Sequence, residues 1–494
     1  MTARRTLRPR WADRALTATT VARMRALLRA EGTQPEPSTK LSVLRRHVCA
    51  VVDSCGVDGI WLTMAVLHAE IPPAGAVRAA HRRVELEGSS AVLAEIEAGI
   101  PRATLGQPVR VVRDATLVDV HQLLRSPFTT GIQRVTQETV RRWDRDHKIL
   151  LVAWTDGFHA LRTAEPVERA RALGLPPARD EDLPPGTVVV PWRAHYLLPE
   201  VALDLDRTVR IQSLAMHSRS ATAGVVYDLV PVTASETTET NVPSDFSHQL
   251  AAVRHLDRVA AISEATRIEY DGWRMMLSAA GIAGPEVATI PLPVEARTAS
   301  EADLAAARER YTIPTLPLIL CVGSHEPRKN HLGVLYAAEL LWRRGLEFSL
   351  LFVGGNSWGS SQFRRWAAEL VADGRPVETA SNMPDSQLWA LYRLARCTVF
   401  PSFSEGFGLP VAESLAIGTP VVTSDFGSMA ELAADGGALC VDPRDHHALA
   451  EAMAALITDD TLHGRLSGEA SSRPARSWDD YARETWRLLV HGSA

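Results

Sequence analysis

Two carboxylates, Glu405 and Glu413, stand with seven residues between them in the string S-E-G-F-G-L-P-V-A-E. Gly406 and Gly408 let a ligand come close to the backbone there. Pro410 suits the first turn of a helix, where a missing N–H costs nothing, and Gly418 closes that helix. Carboxylates at such a mouth can hold the hydroxyls of a sugar or ribose while free N–H groups hold phosphate. Either acid alone could equally do no more than complement the helix dipole.

A second cluster follows the strand-like run L-I-L-C-V, where Gly323 and Ser324 lead into H-E-P-R-K-N. Arg328 and Lys329 thus fall between a strand and a helix. Side by side, a planar guanidinium and a compact ammonium suit a diphosphate; the alternative is a surface basic pair. In T-T-G-I-Q-R, Gly131 opens a helix carrying Arg134, and it either admits a phosphate or makes a tight turn. Asp228 ends the strand V-V-Y-D, where it orients a hydroxyl or caps its own turn. Two D-x-D strings, Asp144/Asp146 and Asp204/Asp206, lie on a helix and in a loop away from these motifs. His325 and His331 flank the basic pair without a third ligand at suitable spacing, so polar contacts are expected and no metal.

These residues need a scaffold of parallel strands, and the pattern supplies two. From Val109 strands alternate with helices: Val109–Val112, Thr116–Val120, Ile149–Trp154, Thr187–Pro191, Val209–Ser213, Gly224–Tyr227 and Val259–Ile262. Arg162–Pro185, rich in proline and charge, reads as an exposed insertion. After a linker at Pro291–Pro293 the alternation resumes with Leu318–Val322, Ser349–Val353, Val377–Ala380, Cys397–Phe400, Val421–Thr423 and Leu439–Val441. The expectation is α/β: two Rossmann-like doubly wound domains, 109–294 and 295–475, facing across a cleft, with ligands at the carboxyl ends of the strands. Residues 476–494 form a helix expected to pack back on the first of them. Residues 1–108 read as a small all-helical domain, with helices over Val57–Ala69, Ala74–Leu86 and Ser89–Ala98, and are expected to fold apart.

At 494 residues the chain exceeds a single core, and 46% hydrophobic with 22% charged residues is ordinary globular composition. A net charge of -5 gives no case for nucleic acid as a partner. No apolar run is long enough to span a bilayer, and no signal-peptide core is present, which points to the cytoplasm. Arg4, Arg5, Arg8 and Arg10 begin an arginine-rich segment that an anionic membrane face would attract; a solvated helix face is the alternative. Five cysteines without metal spacing suit free thiols in a reducing compartment.

Taken together, S-E-G-F-G-L-P-x-x-E-S-L-A-x-G-T-P-V-V closely resembles the E-x7-E signature of retaining GT-B glycosyltransferases of family 4. E-P-R-K-N resembles that family's diphosphate loop, and T-T-G-I-Q-R-V-T-Q-E its first glycine turn. V-V-Y-D-L-V-P-V and V-A-A-I-S-E-A-T-R follow in family order. One departure stands out: many members carry Arg after the strand's Gly, and this chain has Ser324. The resemblance implies a GT-B fold, a nucleoside diphosphate sugar donor, a hydroxyl-bearing acceptor, retention at the anomeric carbon, no cofactor and no metal. It places Glu413 on the ribose hydroxyls and Glu405 on the transferred sugar. Arg328, Lys329, Gly323, Ser324 and the N–H groups of Gly406, Phe407, Gly408 and Leu409 would surround the diphosphate. Gly131 would face the donor, and Asp228 and Arg134 the acceptor or sugar. The G-I-Q-R and E-P-R-K-N variants are most similar to bacterial mannosyl- and rhamnosyltransferases of polysaccharide synthesis, favouring a GDP- or dTDP-sugar. Two other readings stay open: a nucleotide-sugar 2-epimerase of the same fold, and an inactive scaffold whose helical domain binds a partner. In any of these, residues 1–108 are expected to bind acceptor, partner or membrane surface, or to mediate a homodimer.

Overall fold

The computed structural model describes residues 10–125, 130–174 and 186–492. Arg4, Arg5 and Arg8, the side chain of Arg10, and residues 175–185 of the expected insertion lie outside the described residues. Five helices come first: α1 (Arg10–Ala30), α2 (Leu41–Cys55), α3 (Val57–His68), α4 (Ala74–Glu87) and α5 (Ser89–Ala98). α3 is buried almost all round, with Ile60, Trp61, Leu62, Val66 and Leu67 fully enclosed. A helix apolar on every side needs partners on every side.

Those partners are not only helices. Val112, Leu117, Val188, Val190, Trp192, Tyr196 and Ile211 of the next domain belong to the same hydrophobic cluster as Met24, Leu44 and Trp61. Trp61 stacks on Trp192 with centroids 6.3 Å apart and donates its Nε1–H to Ser213 Oγ at 3.1 Å. The helical segment and the first sheet thus share one hydrophobic core. Periodicity marked where the helices lie, but the partner of each apolar face is a long-range fact.

The first sheet has nine strands: β1 (Val109–Val112), β2 (Thr116–Asp119), β3 (Ile149–Trp154), β4 (Leu161–Thr163), β5 (Val188–Pro191), β6 (His195–Leu198), β7 (Ala221–Val226), β8 (Arg258–Ala261) and β9 (Glu286–Thr289). Their order is β1-β5-β4-β3-β2-β6-β7-β8-β9, parallel except where β4 runs antiparallel between β3 and β5. Two expectations fail here. The supposed insertion contributes β4 and the helix Pro166–Leu173, whose Ala172 and Leu173 are buried. A strand of three residues gives too little alternation to read. The supposed strand Val209–Ser213 lies inside the helix Leu205–His217, which buries Arg207, Ile211 and Leu214 on one face. Its β-branched Thr208, Val209 and Ile211 imitate a strand until the four-residue spacing is weighed against them.

The second sheet is wholly parallel: β10 (Leu318–Val322), β11 (Ser349–Val353), β12 (Val377–Ala380), β13 (Cys397–Phe400), β14 (Val421–Ser424) and β15 (Ala438–Val441), ordered β12-β11-β10-β13-β14-β15. Strand order reverses between β10 and β13, so the loops after these two strands diverge and open a crevice. Arg328 and Lys329 follow the first strand and Glu405 the second. The chain then returns: helix Trp478–Trp486 packs on helix Gly131–Asp146, where Trp143 Nε1 donates to Ala482 O at 2.9 Å. Among the described residues no helix is long and apolar enough to cross a membrane.

If the first five helices share the sheet's core, they cannot be removed cleanly. Trp61→Ala should cost about 3–5 kcal/mol, as large core truncations do, and should lower the whole protein's unfolding midpoint in one transition by calorimetry. A separate, early transition of small enthalpy, with the remainder unchanged, would show an independent unit instead.

Candidate active site

The loop after β13 turns Glu405 inward. Ser402 Oγ lies 2.8 Å from Glu405 Oε1, Ser424 Oγ donates to Ser402 O at 2.6 Å, and Ser428 Oγ donates to Glu405 O at 2.8 Å. Gly408, at φ +94°, starts the helix Leu409–Ala416. From the other side, the turn Pro327–Lys329 delivers both cations to the same carboxylate. Arg328 Nη1 reaches Glu405 Oε2 at 2.6 Å, and Lys329 Nζ contacts Glu405 Oε1. Arg328 also donates to Ser404 O at 2.7 Å and to Glu326 Oε2 at 3.1 Å. Burial would raise the Glu405 carboxyl, but the adjacent Lys329 and Arg328 outweigh it and carry it down to about 2. Glu405 is therefore an ionised, buried acid clamped between two charges.

Glu413 lies in the interior of helix Leu409–Ala416 and is buried as well. Its Oε1 accepts from Arg134 Nη1 of the first domain at 2.8 Å, and its Oε2 from the Tyr392 hydroxyl at 3.0 Å. Burial dominates here and raises the carboxyl despite Arg134. Arg134 thus bridges the two domains through a carboxylate on the second.

The domains touch at Gly406. A Cβ there would stand 2.0 Å from Tyr227 O and 3.1 Å from Asp228 Cβ. The Gly406 carbonyl accepts from Ser263 Oγ at 2.6 Å, and Thr266 Oγ1 lies 3.0 Å from it. Glu431 of the second domain accepts from the N–H groups of Glu264 and Ala265, both at 3.1 Å, and so caps a helix of the first. Phe407 buries its ring in the first domain's core, and a Cβ at Gly131 would lie 3.4 Å from Leu409 Cδ1. Asp228 accepts from Val230 N at 3.2 Å, the turn cap. Burial raises its carboxyl, and Arg328 across the cleft opposes that.

Residues 305–473 match the family described as "Glycosyl transferases group 1". The likeness to that family lies in the second domain. O-antigen chain mannosyltransferase B of Escherichia coli is 30% identical over 179 residues, 36% of this chain and 46% of that protein. D-inositol 3-phosphate glycosyltransferase of Acidothermus cellulolyticus is 34% identical over 242 residues, 46% of this chain and 53% of that protein. The chain thus spans about half the length of the curated relatives it matches. Among solved structures, Anabaena Alr3699/HepE in complex with UDP and glucose overlaps 76% of this chain and 99% of its own at a TM-score of 0.55 with 12% identity. Sucrose-phosphate synthase from Thermosynechococcus elongatus overlaps 78% and 100% at 0.54 with 17% identity. These likenesses show the fold, GT-B.

In the second domain, Gly323, Arg328, Lys329, Glu405, Gly406 and Gly408 converge at the crevice between β10 and β13. Ser324 turns its hydroxyl to Glu326. The discounted acids are engaged elsewhere: Asp144 with Arg169 and Asp146 with Arg145. His325 and His331 stand edge to face with centroids 5.3 Å apart against Phe363, and burial pushes His331 down to about 3. Two features escaped the sequence reading. Tyr392, the second partner of Glu413, sits on a helix whose apolar spacing made it look like core. Beneath the glycine turn, Arg207 is fully buried between Asp119 Oδ1 at 3.0 Å and Glu200 Oε1 at 2.7 Å. Glu200 also accepts from Gln122 N at 2.7 Å and Leu123 N at 3.2 Å, fixing the start of the helix His121–Arg125. Glu200 and Arg207 are seven residues apart, but Asp119 is remote in sequence and the group matches no motif spacing.

The clamp predicts a pH signature. The Glu405 carboxyl is lower in the folded chain, about 2, than the ordinary 4.5, so its stabilisation is present above 4.5 and is lost as pH falls towards 2. Glu405→Gln should be destabilised relative to wild type by about 3 kcal/mol near pH 7, with the gap closing below pH 4.5 in urea unfolding. A gap independent of pH would mean that Glu405 is not held as a carboxylate.

Proposed function

We propose that this chain transfers a hexose from a nucleoside diphosphate sugar to a hydroxyl-bearing acceptor with retention at the anomeric carbon, without a divalent metal. The observation that carries the reading is the buried cluster of Glu405, Arg328 and Lys329 at the crevice of a group 1 domain. Two fixed cations beside backbone N–H groups can meet the charge that grows on a departing diphosphate without reorganising. Glu405, held ionised, faces the transferred sugar and steadies the positive charge developing at its ring. The bond from the anomeric carbon to the phosphate oxygen breaks, and the bond to the acceptor oxygen forms on the same face. The acceptor's proton goes to the leaving phosphate, so no side chain need act as nucleophile. The mannosyltransferase relatives support a mannosyl or related donor and a glycan acceptor.

The two acids should separate in assay. Glu413→Ala should weaken binding of the nucleoside diphosphate by about 1.5–3 kcal/mol, the worth of a hydrogen bond to a charged group. Glu405→Ala should leave that affinity nearly intact and cut turnover. Turnover should persist in EDTA. The reverse pattern in calorimetry, or metal-restored activity after chelation, overturns the assignment. An epimerised sugar with free nucleotide, formed without any acceptor, would favour the epimerase.

The ribose assignment has a consequence for Arg134. Each Glu413 oxygen already accepts one donor, from Arg134 and Tyr392, so ribose hydroxyls would compete with Arg134 for the carboxylate. Arg134→Ala should bind the bare nucleoside roughly tenfold more tightly, about 1.4 kcal/mol, by titration calorimetry. Weaker nucleoside binding would show that Arg134 helps to form the ribose site.

A further inference from the structure

Behind Asp228 the first domain holds a partly open cavity of about 160 Å³ at the carboxyl end of β7. Val201, Leu203, Val226 and Phe246 give it apolar walls, and Ile132, next to Gly131, lines it as well. Asp228 belongs to both the cavity and the cleft: it lies against Gly406 and feels the charge of Arg328. The cavity therefore starts beside the Glu405 cluster, on the domain opposite the cations.

Its polar equipment is sparse and specific. Tyr270 is 1% exposed, lines the cavity, and its hydroxyl has no hydrogen-bond partner among the described residues. Gln249 uses Oε1 to accept from Ala202 N at 2.9 Å, which leaves its amide N–H groups as donors. Asp228 uses Oδ1 for its turn and keeps Oδ2 as an acceptor. Three polar groups can serve one or two hydroxyls. A fully hydroxylated hexose would bury further hydroxyls against Val and Phe, at about 1–3 kcal/mol for each one left unpaired. The size agrees with a single ring, since an apolar cavity of about 150 Å³ holds benzene.

We infer that this cavity is the acceptor pocket, and that it takes a six-membered ring with an apolar body and few hydroxyls, one of them presented at Asp228. The inference rests on the transfer reading above and adds the class of acceptor. A ring seated there puts its hydroxyl at the wall shared with Gly406, next to the residues assigned to the transferred sugar.

Phenol serves as the probe, with methyl glucoside as the polyhydroxylated control, on the full chain by saturation-transfer NMR. Phenol should bind and methyl glucoside should bind at least tenfold more weakly. Tyr270→Phe, which keeps the volume, should weaken phenol several-fold. Val226→Phe should abolish phenol binding while leaving nucleoside diphosphate binding at the wild-type value. No phenol binding, equal binding of methyl glucoside, or phenol binding unchanged in Tyr270→Phe would each overturn the inference; the last result stands even if Val226→Phe fails to fold. Phenol binding with no affinity for any nucleoside diphosphate would keep the pocket and sink the transfer reading. Nucleoside diphosphate binding without phenol binding would do the opposite.

Discussion

The absence of a side chain at Gly406 is the constraint on which the site depends. The second domain's loop reaches the first domain by laying bare backbone on Tyr227 and Asp228, at a separation no Cβ could share. Ser263 and Thr266 then satisfy the Gly406 carbonyl, which would otherwise be a buried acceptor left without a donor. Phe407 anchors the same loop in the first domain's core. Because this contact sets the distance between the domains, it also sets how far Glu405 stands from Asp228 and Arg134 from Glu413.

Charge is placed in two different ways across that seam. On the second domain, Arg328 and Lys329 meet Glu405, and Glu326 also holds Arg328, so two cations and two carboxylates are packed together. Removing charges from water is costly, and only short, well-directed contacts compensate for it. On the first domain, Arg207 does a quieter job between Asp119 and Glu200, tying the end of β2 to the segment after β6 and, through Glu200, to the start of the helix His121–Arg125. The first cluster faces the cleft and is available to a ligand. The second is sealed off, and its role is to fix positions.

The helical segment widens this picture. It covers the far part of the first sheet, where Trp192, Tyr196 and Leu198 need apolar neighbours, and its own α3 could not remain folded in water with every face apolar. The C-terminal helix performs the corresponding service near the seam, crossing back so that Trp478, Tyr481 and Trp486 complete the core around Trp143. Both ends of the chain therefore bear on the first domain, and the second domain hangs on it through the return helix and the Gly406 contact.

Local information was enough for much of the architecture. In the second domain β10, β11 and β13 fall where the pattern puts them, because buried parallel strands are largely apolar runs, and the edge strand β12 is found between its flanking helices. The string from Glu405 to Glu413 carried its own evidence, since glycines, proline and both acids must all hold one register to make a ligand-facing helix start. The sequence could not show β4, three residues long, nor correct the strand-like Val209–Ser213, because the face that a helix buries is chosen by what packs on it. Nor could it show that Glu413 would meet Arg134 and Tyr392, that Trp61 would stack on Trp192, or that Arg207 would sit between two acids. Each of those joins residues remote in the chain, and their energies depend on burial and geometry that exist only once the sheets have formed. Sequence alone determined the two-sheet scaffold and the chemistry of its loops; tertiary structure decided which charges are paired, which are free to meet a ligand, and where one domain stops and another begins.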